Sequence, residues 1–283
     1  MADSKDLIPK DIQEALECVI CLEIPKCRPV YQCNNGCIYC CSCHEKITDC
    51  AVCKIKLRET RNLMAEKMLE KCPKPCTFDI YGCDVRLTEE PLKAHEELCT
   101  FKPVQCPVNG CEALVPINQM IKHIDDMNDL HKCVYDDQAK TTHDFDHIDD
   151  FIQKQGREQF MPLRMSFDDH HFLCMFWRAS GPEGHWHVWM YVVGDPNESK
   201  NYIYTLKLAN HGLDEEIRYT GQTVPLQMGR DDVINIRRCL IFDDETAKRF
   251  CHNDTMTCHI DIKHKTNYRR QLSKELTMNI NEP

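Results

Sequence analysis

Hydrophobic and polar positions along the 283-residue chain fall into three regimes. Beyond Gly156 short β-rich runs follow one another: Phe172–Trp177, His187–Val193, Tyr202–Ala209, Ile217–Thr220, Val233–Ile236, Cys239–Phe242 and Thr257–Lys263. Turn formers separate them, among them Gly181-Pro182, Gly194-Asp195-Pro196, Asn210-His211-Gly212 and Gly229. In the last run Cys258, Ile260 and Ile262 alternate with His259, Asp261 and Lys263, the period of a strand with one face buried. The runs predict an antiparallel β-sandwich over 156–270, with a single helical interruption near Glu245–Phe250 and a tail over 271–283. Upstream, Leu63, Met64, Lys67 and Met68 stand at helical spacing in an Arg/Glu/Lys-rich stretch and predict a connecting helix within 58–71. Residues 1–14 read as a mobile tail. Between the halves, Asp136, Asp137, Asp144, Asp146, Asp149 and Asp150 are opposed only by Lys140, so 134–155 reads as a solvated acidic connection.

Composition changes this picture at one point. Of the 21 cysteines, 17 lie in the first 133 residues, and such crowding means disulfides or metal. The opening residues lead into no apolar run, and no stretch approaches a membrane span. The expectation is a protein of the cytosol, or of the nucleus, where clustered thiols serve as zinc ligands. The triplets Asn197-Glu198-Ser199 and Asn253-Asp254-Thr255 are read as chance matches to a glycosylation signal. Net charge is −10, and both halves share it, with 17 basic against 21 acidic residues up to Cys133 and 18 against 24 after it. Zinc fingers that bind nucleic acid need a positive surface, so nucleic acid is not an expected partner, and neither is a membrane.

Residues 15–57 hold four cysteine pairs: Cys18 and Cys21, Cys33 and Cys37, Cys40 and Cys43, Cys50 and Cys53. Eight ligands serve two tetrahedral sites, and four thiolates close a structural site to water. So short a stretch buries little core, so metal binding must supply most of its folding free energy. This spacing resembles a RING finger. In RING domains the pairs interleave, which assigns Cys18, Cys21, Cys40 and Cys43 to one zinc and Cys33, Cys37, Cys50 and Cys53 to the other. Most members carry histidine where Cys37 stands. Cys41 is a possible substitute ligand, whereas Cys27 and His44 are read as uninvolved. The resemblance implies docking of a ubiquitin-conjugating enzyme, with Ile20 and Ile47 as apolar contacts, Ile47 in the central helix, and Lys54 positioned toward ubiquitin. Ala51 replaces a frequent proline, a loss that weakens docking. The alternative reading is that Ile20 and Ile47 pack between the zinc loops.

Residues 72–133 repeat a second ligand pattern. Cys76, Cys83, His95 and Cys99 form a complete set, and Thr88, Glu89, Glu90 and Pro91 suit a helix start that brings His95 and Cys99 onto one face. A shift of 28 residues maps Cys83 onto Cys111, His95 onto His123, Leu87 onto Val115 and Leu92 onto Met120. The second copy offers Cys106, Cys111 and His123. Its fourth ligand is His131, with Cys133 as the rival and an incomplete site as the remaining option. His131 can reach the ion only if the helix stops near Asp125–Asn128.

A RING, a helix, two such fingers and a sandwich, in that order, resemble the seven-in-absentia (SIAH) family of ubiquitin ligases. In the C-terminal half the likeness rests on His171–Phe176, Val192–Pro196, Tyr202–Asn210 and Cys239–Asp243. The family implies a multidomain chain: an N-terminal RING zinc finger, two SIAH-type zinc fingers and a C-terminal all-β, TRAF-like antiparallel sandwich. It implies four structural zinc ions, a ubiquitin-conjugating enzyme and ubiquitin as partners, no catalytic cysteine, and degradation of the marked protein. It also implies a homodimer formed through the C-terminal half. Substrate peptides would add to a sheet edge near Gln159–Ser166, with Met161 and Leu163 as pocket contacts or, equally, as core. The cluster His185, Trp186, His187 and Trp189 is read as packing. A zinc-finger adaptor without ligase activity is the competing function.

Overall fold

The computed structural model describes residues 10–26, 28–127, 134–153, 158–159, 162–179, 184–210, 212 and 214–271. The chain divides into two compact units, Met1–Glu97 and Leu98–Pro283.

The first unit opens with helix α1, Lys10–Leu16, so the expected tail over 1–14 ends sooner than its polar composition implied. Leu16 is buried with Val30, Ile38, Ala65 and Leu69. A short hairpin, β1 (Tyr31–Gln32) and β2 (Ile38–Tyr39), precedes the one-turn helix α2, Cys41–His44. Helix α3, Leu63–Lys71, starts at Asn62, whose side chain accepts the Ala65 N–H at 2.8 Å. The predicted helix exists, but its buried face is Ala65, Glu66 and Leu69, while Leu63, Met64 and Met68 are exposed. Glu66 sets this face. Its carboxylate accepts the Val30 N–H at 3.0 Å and two N–H groups of Arg61 at 3.0 and 2.6 Å, which ties α3 to the cysteine-rich segment. The next ββα piece comprises β3 (Lys74–Pro75), β4 (Arg86–Leu87) and α4 (Glu89–Leu98).

The second unit begins with the same ββα motif: β5 (Pro103–Gln105), β6 (Leu114–Pro116) and α5 (Met120–Asp126). A sandwich of two sheets follows. Its strands are β7 (Val134–Asp136), β8 (Lys140–Asp146), β9 (Glu158–Gln159), β10 (Leu163–Phe167), β11 (His170–Arg178) and β12 (His185–Val193). The others are β13 (Tyr202–Asn210), β14 (Glu215–Gln222), β15 (Val224–Pro225), β16 (Leu240–Asp243), β17 (Cys251–His252) and β18 (Thr255–His264). One sheet runs β15-β12-β11-β10-β7, with β16 also on β12 and β9 also on β11; the other runs β14-β13-β18-β17, with β8 also on β18.

The sandwich therefore starts at Val134, and the segment 134–155 is not a connection. Strand β8 pairs with β18 from Lys140↔Asp261 to Asp146↔Thr255, and helix α6, Ile148–Gln153, follows it. The aspartates that suggested solvent are its outward face: Asp144 and Asp146 accept the hydroxyls of Thr257 and Thr255 at 2.6 and 2.7 Å. Phe145 and Ile148 point into the core. A second departure is Val233–Ile236, which forms the end of helix α7, Arg230–Asn235, and its C-cap, Ile236. Gly229 at its N-cap and Asp231 and Asp232 in its first turn are helix-start signals, and a four-residue apolar run cannot outvote them. Helix α8, Asp244–Arg249, stands near the expected place, so the helical interruptions of the strand series number more than one.

Strands β11 and β12 are buried on both faces, the reason for their unbroken apolar sequence. Phe172, Cys174, Phe176, Trp186, Val188, Met190 and Val192 meet the second sheet through Tyr204, Leu206, Cys258 and Ile260. Leu173, Met175, Trp177, Trp189, Tyr191 and Val193 face the other way, onto the second zinc finger and Val233. Strand β18 alternates as its sequence predicts. The two-residue loops Asp168-Asp169 and Asn253-Asp254 have both residues at positive φ, the mirror-image turn that suits tight hairpins.

Candidate metal centres

Four cysteine and histidine clusters stand out, with the ligand atoms of each cluster within 4.8 Å of one another. The first is Cys18, Cys21, Cys40 and Cys43; the second is Cys33, Cys37, Cys50 and Cys53. The first takes one pair from before β1 and one from after β2, and the second takes the pair in the β1–β2 turn and one beyond α2, so the pairs interleave. Local geometry makes the knuckles. Leu22 N–H returns to the Cys18 carbonyl at 2.8 Å, Gly36 N–H to Cys33 at 2.9 Å and Lys54 N–H to Cys50 at 2.9 Å, and all three closing residues have positive φ. The sulfurs accept backbone hydrogen bonds in turn. Asn35 and Cys37 donate to Cys33 Sγ at 3.3 and 3.4 Å, and Cys53 donates to Cys50 Sγ at 3.1 Å. The buried Tyr39 hydroxyl adds a 2.9 Å bond to Cys50 Sγ.

These bonds favour thiolates, and the thiols titrate unequally. Burial opposes ionisation of Cys50, but the Tyr39 hydroxyl and the Cys53 and Val52 amides outweigh it and bring the thiol down to about 6. Burial likewise opposes ionisation of Cys40, where the Ser42 hydroxyl and the Cys43 amide bring it to about 7. Burial and the proton it shares with Cys53 push Cys37 up to about 12, and hydrogen bonding to Cys40 together with burial pushes Cys43 to about 12. Four neighbouring sulfurs cannot all ionise without a cation among them. Two thiolates about 2.3 Å from one tetrahedral ion lie about 3.8 Å apart. Cys37 Sγ and Cys53 Sγ stand at 3.6 Å, so the second cluster has the spacing of a zinc site. Each set can hold one zinc ion, which supplies a structural cross-link and no open coordination position.

The other two clusters share one design. In the first finger Cys76 N–H bonds the Val85 carbonyl at 2.9 Å across the hairpin, and in the second Cys106 N–H bonds Ala113 at 2.9 Å. Gly82 and Gly110, 28 residues apart, both have positive φ just before Cys83 and Cys111. The helix then presents histidine: His95 Nε2 lies 3.4 Å from Cys83 Sγ, and His123 Nε2 lies 3.4 Å from Cys111 Sγ. Leu92 N–H bonds the Thr88 carbonyl at 2.9 Å, so α4 starts at the predicted position, and Cys99 follows its last residue. Cys76, Cys83, His95 and Cys99 form one cluster, and Cys106, Cys111 and His123 form the described part of the other. Helix α5 stops at Asp126, as a return of the chain toward the ion requires. His131 and Cys133 lie outside the described residues, as do Cys27 and Met161.

Of the remaining site residues, Ile20 is 41% exposed between Cys18 and Cys21. Ile47 does not lie in the central helix: α2 ends at His44, and Ile47 is partly buried against Cys33, Tyr39 and Cys50. Lys54 is exposed and its Nζ donates to the Ala51 carbonyl at 2.9 Å. His44 stacks on Tyr31 at 3.9 Å between centroids, and Cys41 belongs to none of the four clusters. Leu163 is 1% exposed in the inter-sheet core, and β10 is no edge at that point, because Val134 to Asp136 pair with Leu163 to Met165. Leu163 is therefore core and not a peptide contact. No signal in the sequence announced β7, whose partner lies about thirty residues away. Trp186, His187 and Trp189 are buried, as the packing reading has it, whereas His185 is exposed.

Comparison with known proteins agrees with this architecture. Residues 165–261 match the family described as Sina, TRAF-like domain. The E3 ubiquitin-protein ligase sina of Drosophila melanogaster is 27% identical over 258 residues, covering 89% of this chain and 78% of that protein. The E3 ubiquitin-protein ligase sina of Schistosoma mansoni is 25% identical over 258 residues, covering 89% of this chain and 66% of its own. The E3 ubiquitin-protein ligase siah2 of Xenopus laevis is 25% identical over 260 residues, 89% of this chain and 79% of its own. With two interleaved thiolate clusters, a repeated finger and a sandwich in which residues 165–261 match the Sina TRAF-like domain, the chain is similar over most of its length to the sina and siah2 proteins.

Proposed function

We propose that the protein is a RING-type E3 ubiquitin-protein ligase. The observation that carries this reading is the pair of interleaved four-thiolate clusters within 18–53, with Ile20 exposed on the first zinc loop and Lys54 exposed on the last. Its relatives are named as E3 ubiquitin-protein ligases. A surface of this kind holds a conjugating enzyme and its ubiquitin thioester beside a substrate lysine. The lysine amine attacks the thioester carbonyl and the conjugating enzyme's thiolate leaves, so the ligase contributes proximity and forms no covalent intermediate. The sixteen ligand positions are the thirteen cysteines and two histidines of the four clusters above, with His131 as the last. The zinc ions build the platform and take no part in the transfer.

The sandwich is the substrate-binding half in this reading, acting through short extended segments and leading to proteasomal degradation. The C-terminal half also makes the homodimer, and the protein works in the cytosol and nucleus.

Incubation with activating enzyme, a panel of conjugating enzymes, ubiquitin and ATP tests the proposal. Wild type should form conjugates with at least one enzyme, and Ile20→Ala should lose at least about tenfold of the rate, roughly 1.4 kcal/mol at a docking contact. If the two never differ, the protein is a zinc-finger adaptor, the reading that Ala51 in the last zinc loop favours.

A further inference from the structure

The seam between the second finger and the sandwich contains chemistry that neither zinc binding nor strand pairing uses. Loop 105–112 on one side and residues 226–232 on the other enclose a groove of about 710 Å³, within the range of ligand sites. Its floor is the outward face of β12, where Trp189 and Tyr191 lie with ring centroids 5.8 Å apart and planes at 86°. Trp189 is 2% exposed, yet its indole Nε1 has no hydrogen-bond partner. The neighbouring Tyr191 hydroxyl approaches the indole N–H, but not in a geometry that completes a hydrogen bond. Buried N–H groups are nearly always paired, so this donor asks for an acceptor from outside. By contrast, the Trp186 indole donates to Asp244 Oδ1 at 2.8 Å.

The rim of the groove is acidic. Glu112 on the finger and Asp231 and Asp232 at the start of α7 are exposed. Arg230 is the only cation among the described residues of the wall, and it is already held, 3.3 Å from Asp231 and 5.0 Å above the Trp177 ring. Cys106 and Cys111 belong to its wall, so the groove adjoins the second finger's metal site, while His123 lies outside it.

We propose that this groove binds a basic peptide segment of a partner protein. An apolar side chain rests on Trp189, Tyr191, Leu226 and Met228, a peptide carbonyl accepts the Trp189 N–H, and a flanking Lys or Arg pairs with the rim carboxylates. Three carboxylates repel a phosphate backbone, and a bare cation leaves the aromatic floor uncovered, which argues for a peptide over either. The inference is independent of ligase activity, because binding is read without ubiquitin transfer.

The test uses the full-length, zinc-loaded, ¹⁵N-labelled protein and two probes, acetyl-Leu-Arg-Leu-Lys-amide and acetyl-Leu-Glu-Leu-Glu-amide. The assigned Trp189 indole resonance should move downfield and saturate with the basic peptide, while the Trp186 indole stays in place and the acidic peptide has no effect. Combining Asp231→Asn with Asp232→Asn should weaken the basic peptide by about tenfold, with zinc content and circular dichroism unchanged. An equal response to both peptides, no saturable shift at millimolar peptide, or undiminished affinity in the double variant overturns the proposal.

Discussion

The two fingers are copies of one sequence unit with the same hairpin, the same left-handed glycine and the same histidine geometry, yet they are held together differently. In the first, Leu92 is the only non-ligand apolar side chain among the described residues 72–99 that is fully buried, and Ile80, Tyr81 and Leu98 face solvent. In the second, Val108, Val115, Ile117, Met120 and Ile124 are buried against Leu173, Met175, Trp177 and Trp189 of the sandwich. Five such side chains at roughly 1.5–3 kcal/mol each are comparable with the apparent ~10–16 kcal/mol of a structural zinc. The lesson is that a shared ligand pattern fixes local geometry, whereas the source of stability depends on what lies behind the helix.

The strongest way to break this contrast is to remove the metal. Chelation under reducing conditions should abolish amide protection in α4 and in the RING segment, while α5 keeps most of its protection because its apolar face stays docked. Hydrogen exchange reads both at once, and equal loss in the two helices would end the distinction. A smaller effect should follow from Ile124→Ala, which opens a cavity worth about 2–5 kcal/mol in the second unit. Urea unfolding followed by tryptophan fluorescence reports on that unit, since all three tryptophans belong to it. Leu92→Ala should leave the same transition where it is.

The smallest expected effect concerns pH and sharpens the account of the first unit, where polar bonds supplement a small apolar core. Hydrogen bonds from Arg61 hold the Glu66 carboxyl below the usual carboxylate range despite burial. A depressed carboxylate adds stability above its unfolded pKa of about 4.3 and loses it as pH falls through the folded value. Wild type should therefore lose an acid-dependent increment below about pH 4.3 that Glu66→Gln lacks, with a cost at neutral pH of roughly 1–3 kcal/mol. Because acid also protonates zinc ligands, the comparison is between the two proteins at each pH, monitored by far-ultraviolet circular dichroism of the isolated transition of this unit. Superimposable acid profiles would remove Glu66 from the explanation.

Much of the site could be read from sequence because metal ligation is a local problem. Two intervening residues aim a cysteine pair at one point, and four residues of helix aim His95 and Cys99 at another. The regular alternation of β18 was equally plain. Other elements were misread for identifiable reasons. The acidic segment showed its outward face, and only Phe145 and Ile148 revealed the inward one. Helix α3 was legible from its spacing, but the face it buries was not, because its buried anchor, Glu66, is charged.

By itself the sequence determined the ligand sets, the 28-residue repeat and the all-β character of the second half, since spacing and period are properties of neighbouring residues. Only the tertiary structure decided that β11 and β12 are covered on both sides, that Val134 closes the edge beside Leu163, and that Trp189 keeps an unpaired donor beneath an acidic rim. An unbroken apolar run carries no period from which its two faces can be told apart, and partners such as Asp144 and Thr257 meet only when a chain of more than a hundred residues closes on itself.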